Sequence, residues 1–61
     1  TIKTYIVETS AELDLVVNII KERIPCFISW KFFEDGETAE LSIKCRSEDV
    51  AFTQTMLACF V

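Results

Sequence analysis

The chain has no histidine, one glycine, one proline and only six basic residues. Each shortage excludes something. Without histidine, the commonest general base and the commonest transition-metal ligand are both missing. A single glycine leaves no glycine-rich loop to cradle a phosphate. With one glycine, one proline and a hydrophobic share of 51%, the chain is neither a linker nor disordered. Cys26, Cys45 and Cys59 are odd in number and lack CxxC spacing, so a secreted disulfide framework is not expected. A reducing compartment is the simpler expectation, which makes the protein cytoplasmic and the thiols structural. No apolar run approaches the ~18 residues of a membrane span. Thr1-Ile2-Lys3-Thr4 does not read as the start of a signal peptide. The net charge of −4 counts against a duplex DNA binder.

What is present suits one small domain over residues 1–61. A chain of this mass folds to roughly 4,000 Å² of accessible surface from roughly 10,000 Å². That lies near the lower limit for folding without staples.

Residues 1 to 8 read as a strand, with Ile2, Thr4 and Ile6 on one face and Lys3, Tyr5 and Val7 on the other. Thr9-Ser10-Ala11-Glu12 fits a capping box, with Thr9 as the cap. A helix follows to about Ile24, where Pro25 stops it. Its core stripe is Leu13, Val16, Val17, Ile20 and Ile24. Cys26 to Glu34 and Glu37 to Arg46 then flank Asp35-Gly36, a dipeptide suited to a two-residue hairpin turn. The implied register pairs Trp30 with Leu41, Ile28 with Ile43 and Cys26 with Cys45. It gathers Cys26, Ile28, Trp30, Phe32, Ala39, Leu41, Ile43 and Cys45 on one apolar face. Trp30 is expected to anchor that core. Lys31 and Glu40 form a cross-strand ion pair on the other face. Counted from a two-residue turn, Cys26 and Cys45 form a hydrogen-bonded pair, whose side chains stand farther apart. Ser47 caps a second helix that runs to the chain end, with Glu48 and Asp49 in its first turn.

The expected fold is therefore α+β: a single compact β-α-β-β-α domain, with a three-stranded sheet and two helices packed on one face. The expected strand order is 1-3-2, with the first strand antiparallel to the third. This element order resembles that of the ferredoxin-like plait minus its last strand, and that of the DinI family of small RecA modulators. The resemblance lies in element order and carries no functional residue across.

Catalytic constellations are nearly absent. The acidic groups Glu34-Asp35-Glu37, Glu48-Asp49 and Glu8-Glu12 are explained by a turn, a helix start and a cap. No enzyme, metal site or cofactor is expected. The open sheet face is more informative. It is expected to present Lys3, Tyr5 and Val7, then Phe27, Ser29, Lys31 and Phe33, then Thr38, Glu40, Ser42, Lys44 and Arg46. Tyr5, Phe27, Lys31, Phe33 and Lys44 are the expected binding residues. Apolar side chains on an uncovered sheet mark a protein interface. Aromatics among positive charges also resemble the stacking face of single-stranded nucleic-acid binders. An amphipathic sheet with no binding role is the third reading. Glu40 at mid-face and the net charge of −4 put the protein interface first.

The second helix spreads its apolar residues over roughly 200° of arc, about twice what one sheet face requires. Leu15 and Ile19 form an i, i+4 pair off the core stripe of the first helix. Together Leu15, Ile19, Phe52, Met56 and Phe60 suggest a homo-oligomer. The expected function is thus a small non-catalytic intracellular protein-binding domain of the regulator or inhibitor type. Single-stranded nucleic-acid binding through the open sheet face is the alternative.

Overall fold

A computed structural model describes all 61 residues. The elements run β1 (Ile2–Glu8), α1 (Ala11–Arg23), β2 (Cys26–Phe32), β3 (Thr38–Cys45) and α2 (Val50–Leu57), the last preceded by a 3-10 turn at Ser47–Asp49. The sheet order is β1-β3-β2, and both neighbours of β3 are antiparallel to it. The expected α+β architecture is present, and the folded surface measures 4193 Å².

Only 11 of the 61 residues are buried, so the core is thin and each member matters. Leu13, Val17, Ile20 and Ile24 come from the first helix and its exit, and Leu57 from α2. They cover Ala39, Leu41, Ile43 and Cys45 of the central strand and Val7 of β1. Val16 packs at the margin of this cluster. Ile24 leaves α1 in an extended conformation, with φ −135° and ψ 148°. The ring of Pro25 imposes that geometry on its predecessor.

Several expectations need correction. The cap of α1 is Ser10, whose hydroxyl accepts from the Leu13 N–H at 3.1 Å. Thr9 is used elsewhere: its N–H and hydroxyl both donate to the Glu37 carbonyl, at 2.8 and 3.0 Å. That clip ties the β1–α1 junction to the hairpin. Ser47 makes no side-chain cap either. α2 proper spans Val50–Leu57 and turns off before the chain end.

The hairpin keeps the expected pairing but not the expected turn. Phe33 and Thr38 close a four-residue loop through the Phe33 N–H and the Thr38 carbonyl, at 3.1 Å. The Gly36 N–H donates to the Phe33 carbonyl at 3.4 Å, and Gly36 takes φ +72°. One Asp35 carboxylate oxygen accepts from the Glu37 and Thr38 N–H groups, at 2.9 and 3.0 Å. The other accepts from the Thr38 hydroxyl at 2.6 Å. These bonds, the Thr38 hydroxyl first, hold the Asp35 carboxyl below its ordinary range. Asp35 therefore stabilises the fold fully above its unfolded pKa of about 3.9, and the contribution is lost as pH falls through the lower folded value. Asp35→Asn should flatten the acid limb of a melting-temperature titration below about pH 4. An unchanged acid limb would show that the carboxylate does not hold the turn.

The longer loop reverses which pairs are hydrogen-bonded. Thr1 and Cys45 exchange both backbone bonds, at 2.9 and 3.1 Å, so Cys45 turns its backbone toward β1. Cys26 and Cys45 are consequently a non-hydrogen-bonded pair, the closer kind. All three cysteines are free thiols: Cys45 buried, Cys26 half-buried and Cys59 exposed. Burial, and then the neighbouring Cys45, holds the Cys26 thiol above its ordinary range. An alkylating reagent should therefore label Cys59 first and Cys45 only on unfolding, read by intact and peptide mass spectrometry. Equal labelling of Cys45 and Cys59 in the native state would contradict the packing.

The largest correction concerns β1. Tyr5 pairs with Leu41 and Val7 with Ala39, both inward-facing residues of β3. Tyr5, Val7 and Lys3 therefore belong to the helix-covered phase, and Ile2, Thr4 and Ile6 to the open one. Val7 is fully buried. The Tyr5 ring packs against the core, and its hydroxyl meets that of Thr53 at 3.1 Å. Thr53 also donates to the Val50 carbonyl at 2.8 Å, and no buried side-chain polar atom lacks a partner. That partner is why a tyrosine can lie inward while two isoleucines lie outward.

Candidate interaction surface

With β1 in this phase, the open face is a grid of cross-strand rows. Ile2, Lys44 and Phe27 form one end. Thr4, Ser42 and Ser29 follow, then Ile6, Glu40 and Lys31. Glu8, Thr38 and Phe33 close the other end. Phe27 is 78% exposed, Ile2 63% and Ile6 53%. Phe33 is at the margin of exposure. The centre is polar, with the Thr4 and Ser42 hydroxyls 3.3 Å apart.

The expected binding residues Phe27, Lys31, Phe33 and Lys44 share this face. Tyr5 does not, for the register reason given above. Ile2 and Ile6 join it unforeseen. The basic character falls at the same time. Lys3 leaves with Tyr5. The Arg46 Nε is held by Asp49 at 2.8 Å and Glu48 at 3.2 Å. These are the chain's only ion pairs. Lys31 and Glu40 are register partners but do not form one, since an exposed pair gains little against side-chain entropy.

The self-association residues divide into two sets. Phe52, Met56 and Phe60 pack against the chain's own core, which accounts for the wide apolar arc within one molecule. Leu15 and Ile19 are exposed on α1.

A second feature lies at the β2 edge. Trp30 is half-buried, and Phe32 is 69% exposed although both have the inward phase. The helices do not cover this side of the sheet fully. The two rings stack, with centroids 5.7 Å apart and planes within 5°. They form one wall of a groove of about 560 Å³ whose other wall is α1, at Leu13, Asp14, Val17, Asn18 and Lys21. Trp30 therefore packs against the core from its open edge, opposite Leu41, and also lines the groove: it faces inward as expected but is not fully buried. A hairpin pattern alone cannot show this, because it marks an inward face without showing which edge the helices leave open.

No group of three or more cysteine, aspartate or glutamate side chains is placed to hold a metal ion. No helix is long and apolar enough to cross a membrane. Comparison with protein-family models, curated proteins and solved structures found no match.

Proposed function

We propose that this chain is a small non-catalytic protein-binding domain of the regulator or inhibitor type. Its open sheet face docks on another protein, and the chain itself assembles as a homo-oligomer. One observation carries the reading: Ile2 and Phe27 at one end, and Ile6 two rows further on, stand exposed on a sheet face that neither helix covers. Large apolar side chains left exposed on an uncovered sheet face mark an interaction site. The three free thiols suit a reducing, cytoplasmic setting.

Single-stranded nucleic-acid binding is the less supported alternative. Two of its expected contributors, Lys3 and Tyr5, lie on the other face, and Arg46 is neutralised by acids. The central strand offers Thr38, Glu40, Ser42 and Lys44, with no ring for a base to stack on.

Two measurements separate the readings. Fluorescence anisotropy with a mixed-sequence single-stranded oligonucleotide at physiological salt should show no micromolar binding. Tagged chain expressed in its own host should retain a protein partner through high-salt washing, and Ile6→Lys should release it. Tight, steeply salt-dependent oligonucleotide binding that is lost in Phe27→Ala would replace this proposal with the nucleic-acid one.

A further inference from the structure

We infer that two copies of this chain pair antiparallel along β2, joining their three-stranded sheets into one continuous sheet. This specifies the surface behind the self-association proposed above and does not depend on what the open face binds.

The starting point is backbone chemistry. β2 has β3 on one side and nothing on the other. Phe33 bonds to Thr38 across the hairpin, so the odd-numbered residues of β2 face β3. The N–H and carbonyl groups of Cys26, Ile28, Trp30 and Phe32 therefore point outward without partners. Edge strands are normally blunted by proline, bulges or several charges. Here Cys26–Phe32 holds an unbroken register, contains no proline and carries one charge, Lys31.

The strand is also complementary to itself. Only registers that set even-numbered residues opposite even-numbered ones satisfy the outward groups. Among these, one pairs the whole strand: Cys26 opposite the partner's Phe32, and Ile28 opposite the partner's Trp30. On the open face it sets Phe27 against the partner's Lys31, a cation over an aromatic ring. Ser29 then meets its own copy at the two-fold axis. A register centred on Lys31 would instead oppose two like charges.

The groove above the edge follows the same symmetry. Asp14, Asn18 and Lys21 form its α1 wall. α1 leads into β2 through Pro25, so Lys21 lies toward the Cys26 end and Asp14 toward the Phe32 end. Antiparallel pairing brings Asp14 toward the partner's Lys21. The second copy thus matches the edge in backbone polarity, side-chain size and charge. The outer edge of β1 is less open, because the Glu8 N–H already donates to the Phe60 carbonyl at 3.0 Å. Pairing through β2 therefore closes at two copies.

Sedimentation equilibrium on the full chain, with amide hydrogen exchange at matched concentrations, tests this. A dimer is expected, with the Ile28 and Trp30 amides becoming protected as it forms. Ser29 is exposed in the single chain, so Ser29→Lys should keep the fold. It should raise the dimer dissociation constant about tenfold or more by opposing two lysines at the axis. A second variant guards against misfolding. With Cys59, the exposed native thiol, replaced by serine in both, Ser29→Cys under glutathione disulfide should give a covalent dimer, while Thr4→Cys, on the same face two strands away, should not. A chain that stays monomeric overturns the inference. So does a dimer whose Ile28 and Trp30 amides stay fast, or one that Ser29→Lys leaves unchanged. A monomer that adds an unrelated extended peptide at this edge overturns it too. A monomer that still holds its protein partner through Ile6 sinks the pairing and the self-association behind it, and leaves docking through the open face standing.

Discussion

Leu41→Ala is expected to remove most of the folding stability of the chain. Leu41 is fully buried at the middle of the central strand, between Tyr5 on one side and Trp30 on the other. Truncating such a leucine costs about 2–5 kcal/mol, from lost transfer energy and the cavity left behind. A core of this size rarely supplies more than about 3–5 kcal/mol in total. The variant should therefore be largely unfolded at 37 °C, whereas Trp30→Ala, at a half-exposed position, should cost less. Urea unfolding followed by circular dichroism ranks the two. A Trp30→Ala loss exceeding that of Leu41→Ala would mean that the helices cover the β2 side of the sheet after all.

That ranking reverses the expectation from sequence, and the reason is instructive. The pattern of the hairpin identifies its inward face correctly, because Ile28, Trp30, Ala39, Leu41 and Ile43 alternate with Ser29, Lys31, Glu40 and Ser42. It contains nothing about how far the helices reach across that face. The strand order was legible for a similar reason: a short crossover helix and a tight hairpin leave few arrangements.

The phase of β1 was not legible. Ile2, Thr4 and Ile6 outweigh Lys3, Tyr5 and Val7 in apolar surface, and burial by composition alone chooses the first set. The structure chooses the second because a hydroxyl on α2, that of Thr53, receives the Tyr5 hydroxyl. Val7 also fits beside the small Ala39. A long-range polar partner of this kind has no local signature. The cap at Ser10 rather than Thr9 is the same lesson over one residue, since Thr9 is recruited by Glu37 across the fold. The phase of β1 decides the candidate site directly, putting Ile2 and Ile6 on the open face where composition alone places Tyr5.

Phe27→Ala should weaken the complex with the protein partner by about 2 kcal/mol or more, roughly a thirtyfold change in affinity. Phe27 is the most exposed large apolar residue of the chain, so its truncation should leave the fold almost untouched. Its neighbour Lys44 lies in the same row, and Lys44→Ala should change affinity much less, as a rim charge does. Because Phe27 also borders the β2 edge, the far side of the face gives the cleaner comparison. Ile6 lies on β1, with β3 between it and that edge. Loss of the partner in both Phe27→Ala and Ile6→Lys would place binding on the open face. Loss in Phe27→Ala alone would confine it to the β2 side.

Which way β1 turns its side chains decides which residues make the candidate surface. Urea unfolding of Ile6→Lys beside Val7→Ala measures this directly. Ile6 is 53% exposed and Val7 is 1% exposed. Ile6→Lys should stay within about 0.5 kcal/mol of the parent chain, as an exposed substitution does. Val7→Ala should lose clearly more than that, because it leaves a cavity beside Ala39. A loss of several kcal/mol in Ile6→Lys, with Val7→Ala near neutral, would contradict the account: Ile6 would then be core, and the open face would not be the apolar surface on which the proposed function depends.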